Sequence, residues 1–132
     1  MTRAQAMRKL LALLLIVAAP ASAQAVDPAL TATTWRVVEL LGAPVPYPVT
    51  LQFADHSVSG RGPCNRFSAG FKQSNESVEI GQPVATRMFC QGRMDAEKQY
   101  FDMLHAAHRY RIADGVLSLN SADGSTLIKL AK

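Results

Sequence analysis

Two cysteines, Cys64 and Cys90, carry the most definite chemistry in this chain. Catalytic dithiols usually sit as C-x-x-C, where a helix start lowers one thiol pKa. Here the two thiols stand 26 positions apart, which favours a structural bridge in an oxidising compartment over a redox pair. His105 and His108 have the i, i+3 spacing of two metal ligands on a helix. The spacing suggests no third ligand, and bridged cysteines would not serve, so no metal and no cofactor is expected. Asp102 lies three residues before His105, but no G-x-S-x-G or other nucleophile motif accompanies it. Without a convergent acid, base, nucleophile or metal set, an enzyme is not expected. Four arginines, Arg61, Arg66, Arg87 and Arg93, fall within a few residues of the cysteines. If the bridge forms, they gather into a candidate receptor for an anionic headgroup, glycan or acidic partner. The competing reading is that each covers apolar surface or pairs with Asp55, Glu76, Glu79 or Glu97.

The elements that must position these groups lie within residues 57–92. Gly60, Gly62 and Pro63 force a turn just before Cys64, and the Asn65 amide can satisfy turn backbone groups. Phe67, Ala69 and Phe71 then share one strand face, Gln73–Glu76 reads as a turn, and Val78 and Ile80 point inward from the return strand. After Gly81-Gln82-Pro83, the alternation of Thr86, Met88 and Cys90 on one face aims Cys90 at the core.

The paired motifs Ser59-Gly60…Cys64-Asn65-Arg66-Phe67-Ser68-Ala69-Gly70-Phe71 and Ala85-Thr86-Arg87-Met88-Phe89-Cys90 resemble the META domain of HslJ-type heat-shock proteins. The resemblance covers nearly all of the chain after the first 23 residues. It implies a small α+β domain and an association with stress, and leaves the activity open. Among the arginines it singles out Arg66 and Arg87, which match the CNRF and TRM motifs. With Asn65 they are the candidate binding residues. Proteins of that family are often lipoproteins, and here the first 25 residues hold no cysteine to acylate.

Those first residues read as a secretory leader over 1–23: Arg3, Arg8 and Lys9, then apolar Leu10–Ala19, then an Ala21-Ser22-Ala23 cleavage site, with a second possible site after Ala25. The apolar run is too short to span a bilayer, so a soluble periplasmic protein with no membrane anchor is expected. Three of the 14 basic residues belong to this leader and none of the 10 acids do. The remainder is close to neutral, which removes the main support for a nucleic-acid partner.

Residues 24–33, with Pro28, read as a loosely ordered tether before a domain over 34–132. Trp35, the only tryptophan, is expected as a core or rim plug. Alternation fails at Val37-Val38 and Leu40-Leu41, which fits a bulge or burial on both faces. The prolines 44, 46 and 48 make an extended loop. Val49, Leu51 and Phe53 face inward, and Asp55-His56 reads as a hairpin turn in which His56 takes positive φ. Met94 to about Ala107 is the one helix, with Ala96, Tyr100, Phe101 and Leu104 as its apolar stripe and Asp95 and Glu97 in its first turn. Asp114-Gly115 turns a further hairpin, and a last strand runs over 126–130. The expected fold is a single small α+β domain: a curved, mostly antiparallel sheet of seven or eight short strands with one α-helix packed on it. The expected function is a monomeric, non-enzymatic, envelope stress-associated protein that binds or protects an unknown ligand or protein. Two alternatives are a carrier holding an acyl chain or hydrophobic drug between sheet and helix, and a module that docks a protein through a sheet edge.

Overall fold

A computed structural model describes residues 12–18 and 25–132 of the chain. The expected cleavage after Ala23, and Arg3, Arg8 and Lys9 before it, lie outside the described residues. Among the described residues, no helix is long and apolar enough to cross a membrane.

The sheet is laid out from β1 (Trp35–Leu40) in both directions. On one side β1 pairs with the two-residue β2 (Ala43–Pro44) and with β3 (Thr50–Phe53); β4 (Ser57–Arg61), β5 (Arg66–Ser74) and β6 (Ser77–Ile80) follow in antiparallel order. On the other side β1 pairs with β10 (Thr126–Ala131), which continues through β9 (Val116–Asn120) to β8 (Arg109–Ala113). β6 meets β8 at Ser77 and Arg109, so the expected curved sheet closes on itself as an eight-stranded barrel. The closing seam is thin, with Val78 N–H donating to His108 O and Tyr110 N–H to Glu76 O beside that pair. The two-residue β7 (Val84–Ala85) lies outside the barrel, paired only with β5.

Local rules account for most of these elements. The failed alternation in β1 is a bulge between Val37 and Glu39 opposite β10. Val37 and Leu40 are buried, while Leu41 is exposed at φ 49. Asp114 and Gly115 take φ 52 and 76, the left-handed pair that a two-residue hairpin requires. The β5–β6 turn is tighter than expected, with Asn75 at φ 53. His56 does not take positive φ. Asp55 and His56 do form the expected two-residue connection: the register Gln52 to Ser59 and Phe53 to Val58 continues to Ala54, whose N–H donates to Ser57 O.

The main helix, α2 (Met94–Ala106), joins β7 to β8 and buries Glu97, Tyr100 and Leu104. Phe67 packs edge-on against Tyr100 at 5.6 Å and lies 5.1 Å from Phe101, which locks the helix to β5. Trp35, Leu51, Val58, Leu117, Ile128 and Leu130 fill the centre. Within the expected tether, residues 25–33 are not loosely ordered. Asp27 caps the single turn α1 (Pro28–Thr31), and Pro28 stands at its first position. Leu30 is fully buried, and its carbonyl accepts the Trp35 indole N–H at 3.0 Å. The Tyr110 hydroxyl donates to Asp27 at 2.7 Å, so this turn is bolted onto the barrel and the folded unit begins before residue 34.

Candidate functional site

The turn after β4 brings the two cysteine motifs together. Cys64 and Cys90 form a disulfide with their Cα atoms 5.7 Å apart, inside the usual bridging range. The Cys64 side is buried and the Cys90 side half-buried. Gly62 fits beneath because it has no side chain: a Cβ there would meet Glu97 Oε1 at 3.0 Å and Phe101 at 3.2 Å. Its N–H donates to Asn65 O, which tightens the turn.

Glu97 is the group that the turn wraps. Oε1 accepts the backbone N–H of Cys64 at 3.0 Å and of Asn65 at 2.5 Å, and Oε2 accepts the Asn65 side-chain amide at 2.7 Å. No cation neutralises this buried carboxylate among the described residues; oriented N–H dipoles and the first turn of α2 do so instead. Asn65 is 2 % exposed, and all four of its amide bonds are used. Nδ2 donates to Glu97 and to Met88 O, while Oδ1 accepts from Thr86 Oγ1 at 2.8 Å and Met88 N–H at 2.7 Å. With nothing left for a ligand, Asn65 is a structural clamp.

That clamp shapes the segment 84–89. Thr86 N–H donates to Arg66 O in the β5–β7 ladder. The Asn65 amide then offers Met88 one acceptor and one donor, the same pair a strand residue would offer, and so extends the edge of β5 by a side chain. The expected inward face of Thr86, Met88 and Cys90 is not formed. Met88 is 53 % exposed, beside Val84 at 75 % and Phe89 at 79 %. The reason is that Asn65 and the disulfide, with no burying sheet, hold this stretch in place. Outside residues 13–17, Leu41 is the one other large hydrophobic so exposed among the described residues. An open groove of about 520 Å³ runs between this segment and α2, lined by Pro83, Val84, Ala85, Met88, Met94 and Phe101 among others.

The arginines divide into two groups. Arg93 lies over the Tyr47 ring at 4.8 Å and donates to Pro63 O, so it covers apolar surface. Arg61 and Arg66 are exposed and directly opposite each other on β4 and β5. Arg66 is also the ladder neighbour of Thr86, and exposed Arg87 follows on the edge segment. Among the described residues the ion pairs are Lys98–Asp102 and Lys129–Glu39, neither of which involves these arginines. The expected pairings with Asp55, Glu76, Glu79 or Glu97 are therefore not made. Like charges face each other across strands at a cost, and of these arginines Arg87 lines the groove.

The remaining candidates are placed elsewhere. His105 Nδ1 contacts Ile80 O and His108 Nδ1 contacts Ala106 O, each within 3.0 Å. Asp102 is the ion-pair partner of Lys98. Among the described residues no group of three His, Cys, Asp or Glu side chains is arranged to hold a metal. Beneath the other end of the helix the space is nearly filled: the apolar gap lined by Val37, Leu40, Tyr47 and Tyr100 is about 10 Å³, room for at most one water. An acyl chain or drug has no place there.

The META domain family model matches residues 28–132. No curated protein matches the chain. Among solved structures, an NMR structure from Burkholderia xenovorans is similar at 20 % identity and TM-score 0.63, covering 83 % of this chain and 90 % of that one. A second NMR structure shares 26 % identity at TM-score 0.61, covering 79 % and 93 %. The crystal structure of a DUF4847-family protein from Bacteroides vulgatus aligns at 17 % identity and TM-score 0.60, covering 77 % and 93 %. The matched region begins at α1 and includes both cysteine motifs.

Proposed function

This chain belongs to the META domain family, and from that premise we propose that it is an exported, non-catalytic binding protein that docks a protein partner on the surface of residues 83–89. One observation carries the reading. Val84, Met88 and Phe89 lie within six residues of one another, and outside residues 13–17 Leu41 is the one other large hydrophobic so exposed among the described residues. Contiguous apolar exposure beside a polar rim is the usual mark of an interaction surface. The disulfide and the leader-like N-terminus support export, and the stress association implied by the family resemblance supplies the setting. The filled interior favours docking over carriage of a small apolar ligand.

Site-specific photo-crosslinking in intact cells tests this. A benzophenone side chain at Phe89 should give an adduct with a protein, and one at exposed Ala122 should not. The adduct should vanish when Met88→Asp is added. No adduct at Phe89, equal adducts at both positions, or an adduct indifferent to Met88→Asp would refute the reading.

A further inference from the structure

We propose that the partner is an extended, acidic peptide segment that adds as a strand to the outer edge of residues 84–89; this rests on the docking reading above and specifies its mode. The first argument is backbone geometry. β5 occupies one side of β7, and no strand pairs with the other side among the described residues. Bonding along the segment alternates. Thr86 donates to β5, and Met88 both donates to and accepts from the Asn65 amide. The N–H and C=O groups of Arg87 and Phe89 have no partner among the described residues. In an extended chain successive residues present their backbone groups to opposite sides. Asn65 thus fixes one side of the segment and leaves the other as an open ladder. Protein edges of this kind are normally blunted or covered; this one carries two exposed apolar side chains, Met88 and Phe89, instead.

The second argument is charge. Arg66 and Arg87 are exposed without an acidic partner among the described residues, and Arg61 stands opposite Arg66. The nearest carboxylate in the network, Glu97, is buried and committed to N–H donors. An incoming strand with acidic residues relieves this repulsion and satisfies the open ladder, and its alternate apolar side chains enter the groove beside Met94 and Phe101. A second copy of this chain presents the same arginines and is therefore disfavoured on the same edge.

The test uses fluorescein-labelled peptides and fluorescence anisotropy on the oxidised protein. One peptide alternates glutamate with valine and leucine, a second has lysine for each glutamate, and a third is the acidic peptide with alternate backbone amides methylated. The acidic peptide should bind. The lysine and methylated peptides should bind at least about tenfold more weakly. Arg66→Ala and Arg87→Ala should each weaken the acidic peptide several-fold, and salt should weaken it further. Amide exchange should slow at Arg87 and Phe89 on binding, with less change at Met88, which is already bonded. Equal binding of acidic and lysine peptides overturns the charge argument, and indifference to methylation overturns strand addition. No peptide binding, with a crosslinked partner still found at Phe89, defeats this inference and leaves the docking reading intact; loss of both defeats both. Sedimentation showing a dimer that Phe89→Ser dissolves, or binding only to vesicles of anionic lipid, replaces the peptide with that occupant.

Discussion

Replacing Asn65 with alanine should destabilise the domain far more than a turn residue normally does. The side chain is 2 % exposed and makes four hydrogen bonds. Three go to neutral groups of Thr86 and Met88. Both of those residues are exposed, so water can replace part of each bond, and about 1 kcal/mol is lost per bond. The fourth supports the buried Glu97 carboxylate, where a charge-assisted bond contributes about 1.5–3 kcal/mol. The expected loss is therefore about 4.5–6 kcal/mol, a large part of the ~5–15 kcal/mol that domains possess. At this size that lowers the melting temperature by more than about 15 °C. Thermal and urea unfolding of the oxidised protein measure it. Thr86→Val, which removes one bond, should cost only about 1 kcal/mol. Amide exchange at Met88 should accelerate in Asn65→Ala while that of the barrel strands follows global stability. A loss below about 1 kcal/mol, or unchanged Met88 exchange, would show that the disulfide alone holds segment 84–89 in place.

Three other outcomes follow from single contacts. Cys64→Ser with Cys90→Ser opens a loop spanning 26 residues, which the chain-entropy model rates at about 3–4 kcal/mol; calorimetry should record a fall of more than about 10 °C, and alkylation of the native parent should label neither thiol. Gly60→Ala should fail to fold or lose more than about 3 kcal/mol, because its Cβ would lie 2.1 Å from the backbone oxygen of Thr50; wild-type urea resistance would contradict that packing. Burial and the bond to Asp27 push the Tyr110 hydroxyl up to about 12. The folded state then holds a proton that the unfolded chain releases near 10, so stability present below pH 10 should decline as pH rises towards 12. Urea unfolding across that range should show a shallower decline in Tyr110→Phe; identical slopes would refute the assignment.

What the sequence could reveal depended on how far each signal reaches along the chain. Asp114-Gly115, the stripe of α2 and the alternation of Phe67, Ala69 and Phe71 are local, and each element formed where its pattern lay. Barrel closure is not local. It rests on β6 meeting β8, Ser77 opposite Arg109, and on β1 meeting β10, Arg36 opposite Ala131, and no residue in either pair announces the other. The short turn α1 was hidden for a different reason: Pro28 reads as loop, and only Leu30 under Trp35 makes it structure. Glu97 had a readable clue. It stands three, four and seven residues before Tyr100, Phe101 and Leu104, on the buried stripe, where a carboxylate must find donors. Asn65, 32 positions away, supplies them, so the two polar residues belong to one long-range contact.

The same contact explains why Met88 points outward although period-two alternation sends it inward. Alternation reports a buried face only when another layer covers the segment. Here the Asn65 amide occupies the inner edge of the segment, and the disulfide fixes its end. The segment is thus fixed without apolar burial, and Val84, Met88 and Phe89 are released from any duty in the core. Apolar side chains held in fixed array but not needed for folding are available to a partner. The polar clamp and the proposed docking surface are therefore two sides of segment 84–89. This predicts that a partner's affinity should fall with loss of the Asn65 clamp, even at temperatures where the Asn65→Ala barrel remains folded.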